Sequence, residues 1–205
     1  MNIKHNNNLN KDLLSLSKID PKLGAVIEQL GKVKLRTRDD GFSALLRTIV
    51  GQQLSVKAAA AIWLKLENAN LTSEAKIELA QETDLQNCGL SRQKVKYIKA
   101  LSSEKIDYEK LHSLTAEEVI EILTAVLGIG RWTAEIYLMF SLKNQDIFPC
   151  GDLALQEATR IIYSLPERPK EKELREMSLD WKPYRSLAAL VLWEFYAKIK
   201  RREGI

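Results

Sequence analysis

Residues 115–142 read TAEEVIEILTAVLGIGRWTAEIYLMFSL, and this stretch decides the fold. Thr115 followed three residues later by Glu118 has capping-box spacing, the mark of a helix start. Val119, Ile120, Ile122, Leu123 and Val126 then recur at helical intervals. Leu127-Gly128-Ile129-Gly130 breaks that helix, and a second one is expected from Arg131 to about Leu142. Two helices joined by four residues make a hairpin. Its glycines belong where φ is positive or where a backbone must approach something closely. Gly130 also sits at the next helix's N-terminus, where unpaired N–H groups and the dipole favour an anion. A phosphate is the obvious anion, and Arg131 adds positive charge. A plain tight turn between packed helices is the alternative reading of the same four residues.

Helix signals continue on both sides. Asp20-Pro21 forms an N-cap and first-turn pair, opening a helix to about Leu30 that Gly31 stops. Val33 to Arg38 is read as a connector. Phe42, Leu45, Leu46, Ile49 and Val50 follow the amphipathic period. Gly51-Gln52-Gln53-Leu54 interrupts it, and Ser55 caps an alanine-rich helix to about Leu66. Thr72 or Ser73 opens a short helix. Thr83 to Gln86 has capping-box spacing, and Cys88-Gly89 reads as a helix end. Ser91 caps a helix from Arg92 to Leu101, and Asp152 starts one to about Tyr163. Pro166 to Lys172 reads as a charged linker. A closing helix begins near Pro183 and ends in the basic tail Lys198 to Arg202. No convincing alternating strand occurs. The expectation is an all-α chain of about nine or ten helices. Residues 1–19 are assigned to a flexible N-terminal segment and 20–205 to the helical domain.

Composition agrees. Nine glycines and five prolines in 205 residues are about 7%, against roughly 12% in average usage, which disfavours a turn-rich sandwich or barrel. The 45% hydrophobic content supports a core and excludes global disorder. A net charge of +4 permits a nucleic-acid partner without demanding one. No stretch approaches the 18 or so apolar residues of a membrane span, and no secretory leader is expected from the asparagine-rich start. Two cysteines and two histidines are too few for a disulfide framework, a four-cysteine zinc site or a cysteine-bound iron–sulfur cluster.

The hairpin Val126 to Ala134, followed by Asp152, resembles the helix-hairpin-helix DNA glycosylase superfamily. Within it the chain is most similar to the 3-methyladenine DNA glycosylase II family, as a compact all-helical member. Four further segments carry the resemblance in order: Ile49 to Ser55; Cys88-Gly89-Leu90-Ser91 with Lys94 and Tyr97-Ile98; Phe148 to Leu153; and Trp181 to Ser186, ending in Trp193. Together they span roughly residues 20–200. The resemblance implies two helical lobes with the active site in the cleft between them, and the hairpin at 127–130. Leu127 stands where the family usually has proline. Ile136 and Leu153 stand at the tyrosine positions of the long bacterial enzyme. Trp132 occupies the place of the Schiff-base lysine of the bifunctional members, so no lyase step is expected. The four-cysteine cluster loop of the endonuclease III branch is missing.

The implied activity is monofunctional excision of alkylated purines, 3-methyladenine and 7-methylguanine, from double-stranded DNA in base excision repair. The base is flipped out of the duplex. Asp152 is the implied catalytic carboxylate: at a helix N-terminus it stays ionised, and its charge stabilises an oxocarbenium-like sugar. Trp132 and Trp193 are the implied base pocket, attracting a cationic lesion by about 0.5–2 kcal/mol per aromatic contact. Trp63 and Trp181 are read as structural. Gln53 or Leu54 is the wedge that fills the hole in the duplex. Gly128, Gly130, Arg131 and Lys94 are the implied phosphate contacts. No cofactor is required, although the backbone carbonyls of Thr124, Val126 and Ile129 are expected to hold a structural monovalent cation, Na or K. No membrane or obligate protein partner is inferred, and the expected location is with DNA, in the cytoplasm or a nucleus. Two alternatives stay open: the same scaffold with another damaged-base range such as hypoxanthine, or a non-catalytic DNA-binding module.

Overall fold

The computed structural model describes residues 6–33 and 38–202. The described chain is all-α, with thirteen α-helices, one 3-10 turn and no strand. The helices are α1 (Asn6–Ile19), α2 (Pro21–Leu30), α3 (Phe42–Gly51), α4 (Val56–Asn68), α5 (Glu74–Leu79), α6 (Glu82–Asn87) and α7 (Arg92–Ser103). They continue as α8 (Tyr108–Leu111), α9 (Ala116–Thr124), α10 (Arg131–Phe140), α11 (Leu153–Tyr163), α12 (Glu171–Met177) and α13 (Arg185–Arg202), with the 3-10 turn at Ser178–Trp181.

The chain divides into two compact units. One is continuous, Arg38–Leu142, and carries α3 to α10. Its core is built from Leu45, Leu46, Ile49, Leu66, Ile77, Leu85, Ile98, Leu101 and Leu123, all fully buried. The Arg38 N–H donates to the Phe140 carbonyl at 3.0 Å, and the Ser141 hydroxyl donates to the Asp39 carbonyl at 2.8 Å. Entry and exit of this unit are thereby tied side by side. Asp40 accepts from the Tyr137 hydroxyl and from the Gly41 N–H, which fixes the start of α3.

The other unit joins the N-terminal helices α1 and α2 to α11, α12 and α13. Leu16, Leu23, Leu155, Ala158, Leu174, Ala188, Val191 and Leu192 are buried there, with Trp181 only 1% exposed. Asp20 is its polar anchor. As N-cap of α2 it accepts from the Lys22 and Leu23 N–H groups at 3.0 and 3.1 Å. Its other oxygen accepts from the Tyr163 hydroxyl and, at 2.9 Å, from the Trp181 indole N–H. Partial burial opposes the charge, but these donors outweigh it and hold the carboxyl below its usual range.

Three expectations change, and the thirteen described helices outnumber the nine or ten expected. Residues 6–19 of the supposed flexible segment form α1, because Leu13 and Leu16 share one face and are buried against α2 and α13; the asparagine run masks that spacing. Residues 1–5, and 34–37 of the connector, lie outside the described residues. The capping residue of α6 is Gln81 rather than Thr83, with the Asp84 carboxylate accepting the Gln81 N–H at 3.3 Å. The linker is shorter than read, since α12 begins at Glu171, where Glu173 caps Lys170. The helix α8 is so short, four residues, that no periodicity can announce it.

Candidate functional site

Asp152 sits at the N-cap of α11, with φ −77° and ψ 119°, half-buried. A turn presents it: the Asp152 N–H donates to the Pro149 carbonyl at 2.9 Å, and the buried Gln156 amide donates to the Cys150 carbonyl at 2.8 Å. One carboxylate oxygen, Oδ1, accepts three N–H groups. These are Ala154 at 2.9 Å, Leu155 at 3.1 Å and the Trp193 indole at 3.2 Å. The carboxylate is thus held by the helix end and by α13. Leu153, the next residue, is 64% exposed, a large apolar side chain presented to solvent at the first turn.

Trp193 was expected as an aromatic wall for a base. Its ring N–H donates to Asp152 Oδ1 at 3.2 Å, which links it to the carboxylate. Trp132 lies in the other unit, in the first turn of α10, and is 38% exposed. Trp63 and Trp181 are buried: Trp63 donates to Glu67 at 2.7 Å, and Trp181 belongs to the Asp20 anchor.

The hairpin follows the expected plan. Val126 N–H bonds the Leu123 carbonyl at 3.2 Å, ending α9, and Ile129 N–H bonds the Val126 carbonyl at 3.1 Å. Gly128 has φ +92°, and a Cβ there would stand 2.2 Å from the Tyr97 ring. Both facts demand glycine for internal reasons. Gly130 is different. It is the N-cap of α10 with an ordinary φ of −90°, and a Cβ on it would meet nothing within 4 Å. Nothing inside the chain requires glycine there. Leu127, at the tip, is 58% exposed.

Two of the expected phosphate contacts, Arg131 and Lys94, make bonds within the protein. Arg131 Nε donates to the buried Glu135 carboxylate at 3.1 Å, and Nη2 donates to Glu117 at 2.9 Å. A buried carboxylate needs a partner, and Arg131, one turn earlier, supplies it. Lys94 Nζ donates to the Val50 carbonyl at 2.6 Å, and burial pushes its pKa down. It caps the C-terminal end of α3, where carbonyls lack helical donors. Their partners lie 44 residues away for Lys94 and as far as 14 for Arg131.

The segment between α3 and α4 is exposed. Gln53 is exposed in the left-handed region, φ +56°, and Leu54 is 39% and Val56 89% exposed. Gln52, the first residue of the loop Gln52-Gln53-Leu54, donates its side-chain amide to the Gly128 carbonyl at 3.0 Å.

The carbonyls of Thr124, Val126 and Ile129 lie at the end of α9 and in the hairpin. They are neutral oxygen donors of the kind that suits a monovalent cation. Among the described residues no cluster of His, Cys, Asp or Glu has a metal-binding arrangement.

Known proteins resemble this chain in sequence and in fold. A fission yeast relative from Schizosaccharomyces pombe, named DNA-3-methyladenine glycosylase 1, is 29% identical over 91% of this chain and 87% of its own length. The crystal structure of a Bacillus halodurans protein named DNA-3-methyladenine glycosidase superposes with a TM-score of 0.82 at 31% identity, covering 98% of this chain and 94% of that one. The S. pombe 3-methyladenine DNA glycosylase in complex with abasic DNA gives a TM-score of 0.80 at 29% identity, covering 90% and 95%. The profile of the HhH-GPD superfamily base excision DNA repair proteins matches residues 46–183, a span that holds the exposed segment, the glycine hairpin and the capped aspartate. On that match and this geometry, the chain belongs to the HhH-GPD superfamily of base excision DNA repair proteins.

Proposed function

We propose that the protein is a monofunctional DNA glycosylase that removes alkylated purines, 3-methyladenine and 7-methylguanine, from duplex DNA. The observation that carries this reading is Asp152: a helix-capping carboxylate whose Oδ1 is oriented by three N–H donors. An N-glycosidic bond breaks with its electron pair leaving on the base, and positive charge develops on the sugar. A fixed carboxylate stabilises that charge without having to reorganise. Water then adds to the sugar carbon, and its proton is lost to Asp152 or to solvent. A methylated purine is already cationic, so it leaves without much general-acid help. The half-exposed Trp132 offers it an electron-rich face.

The hairpin supplies sequence-independent grip. Backbone N–H groups around Gly130, at the start of α10, are suited to a phosphate. The carbonyls of Thr124, Val126 and Ile129 would hold a monovalent cation, which when bound supplies positive charge toward the same phosphate. Gln53 and Leu54 are the parts that enter the duplex when the damaged nucleotide leaves the stack. With a tryptophan at position 132, no amine is offered there for a covalent lyase intermediate.

The test is release of bases from methylated duplex DNA, resolved by identity, with Asp152→Asn beside the parent. The expected result is release of 3-methyladenine and 7-methylguanine by the parent, loss of most of it in Asp152→Asn with lesion binding retained, and no borohydride-trapped adduct. Equal single-turnover rates for the two proteins would remove Asp152 from the chemistry.

A further inference from the structure

We propose that Gln52 is a positioning residue that sets the exposed segment against the hairpin, so that insertion into the duplex and grip on the phosphate happen in register. The inference rests on the glycosylase reading above. Gln52 ends α3 as its C-cap, with φ −54° and ψ 130°. Its side-chain Nε2 donates to the Gly128 carbonyl at 3.0 Å, a bond spanning 76 residues of sequence. Both partners belong to the same continuous unit.

Each end of that bond is itself fixed. On the segment side, Lys94 holds the Val50 carbonyl, Gln52 N–H returns to the Ile49 carbonyl at 3.2 Å, and Leu54 N–H returns to Gly51 at 3.2 Å. Gln53 then takes the left-handed conformation that turns the exposed Gln53 and Leu54 side chains out of the helix line. On the hairpin side, Gly128 is locked by its positive φ and by the Tyr97 ring that a Cβ would strike. Gln93 donates to the Tyr97 hydroxyl at 2.7 Å, bracing that ring in turn. Two stiff pieces joined by one amide–carbonyl bond make a register device. The bond ties the hairpin turn to the very residue preceding the exposed pair.

The chemistry of the bond gives a specific test. Gln52→Met keeps length and bulk but has no donor. Gln52→Glu places a carboxylate against a carbonyl oxygen, and it donates again only when protonated, near the ordinary Glu value of about 4.3. Three quantities are measured with the full chain: single-turnover excision from methylated duplex, affinity for undamaged duplex, and the pH profile of nucleotide flipping reported by a fluorescent base beside the lesion. Gln52→Met should lower excision and flipping about fivefold to tenfold, the worth of one hydrogen bond, while affinity for undamaged duplex changes by less than about twofold. Gln52→Glu should be the more defective at pH 7.5, and its flipping relative to the parent should recover as pH falls toward about 5.

Unchanged excision in Gln52→Met overturns the inference. So does an equal loss of excision and undamaged-duplex affinity, which would make Gln52 a DNA contact rather than a register. If Gln52→Met does not fold, the pH profile decides: a defect in Gln52→Glu that does not shrink with falling pH overturns the inference. A parent that releases no base instead sinks the glycosylase reading, so the two failures are distinct.

Discussion

In the role proposed for it, Asp152 answers charge on a sugar and has to be held still; three N–H groups on one oxygen hold it. Two come from the helix it caps and one from Trp193. Trp193→Phe keeps an aromatic ring of smaller size and deletes the third donor. A hydrogen bond to an ionised group contributes about 1.5–3 kcal/mol, so single-turnover excision should fall about tenfold or more, with lesion affinity nearly unchanged. A larger loss of affinity than of rate would return Trp193 to the role of base wall. The two hairpin glycines separate just as sharply. Gly128→Ala meets a positive φ and the Tyr97 ring, and should cost about 1–3 kcal/mol in thermal or denaturant unfolding. Gly130→Ala adds a Cβ in open space and should cost less than about 1 kcal/mol, the difference between glycine and alanine as an N-cap. Its DNA affinity should nevertheless drop. Melting and DNA titration of the two variants side by side check both statements.

Helix ends were the most legible part of this sequence, because capping is local. Asp20, Ser55, Ser91, Thr115 and Asp152 all cap the helices that their spacing announces. What was not legible depends on partners far away in sequence. The bond of Lys94 to Val50 shows only once α3 is folded beside it, and that of Arg131 to Glu135 only once Glu135 is buried. The α1 helix is visible only once α2 and α13 give Leu16 something to pack on. Asp20 shows how much one cap can carry when its other oxygen is also used. Asp20→Asn weakens the capping and leaves Tyr163 and Trp181 with a poorer acceptor, and should cost about 1–3 kcal/mol at neutral pH. Its pKa is lowered in the folded state. The stability it adds is therefore complete above the unfolded value of 3.8 and is lost as pH falls through the lower, folded value. Parent and Asp20→Asn should converge in stability as pH falls below that folded value; a gap that persists in acid would show the loss to be steric.

The molecule distributes its chemistry over two bodies. Arg38–Leu142 carries the hairpin, Trp132 and the exposed segment, whereas Asp152 and Trp193 belong to the body assembled from both ends of the chain. Its continuous stretch has its own buried core. Residues 38–142 expressed alone should be helical by circular dichroism, melt cooperatively, and bind DNA in a salt-sensitive, sequence-independent way without releasing any base. Residues 143–205 alone should not fold, because α11 and α13 pack on α1 and α2. A helical, cooperatively melting 143–205 fragment would contradict the division.

The Arg38–Phe140 hydrogen bond turns the continuous body into something with a single doorway. Chain goes in and comes out through neighbouring backbone positions, as in a module slotted into a host by one cut. A linker of about three residues, each spanning at most roughly 3.5 Å, suffices to close residue 142 onto residue 38. New termini could then open in the exposed stretch at Glu104–Lys105, giving a circular permutant with the same hairpin and the same segment between α3 and α4. For evolution the doorway means that lengthening, shortening or replacing the DNA-gripping cassette leaves the threading of the carboxylate-bearing host untouched.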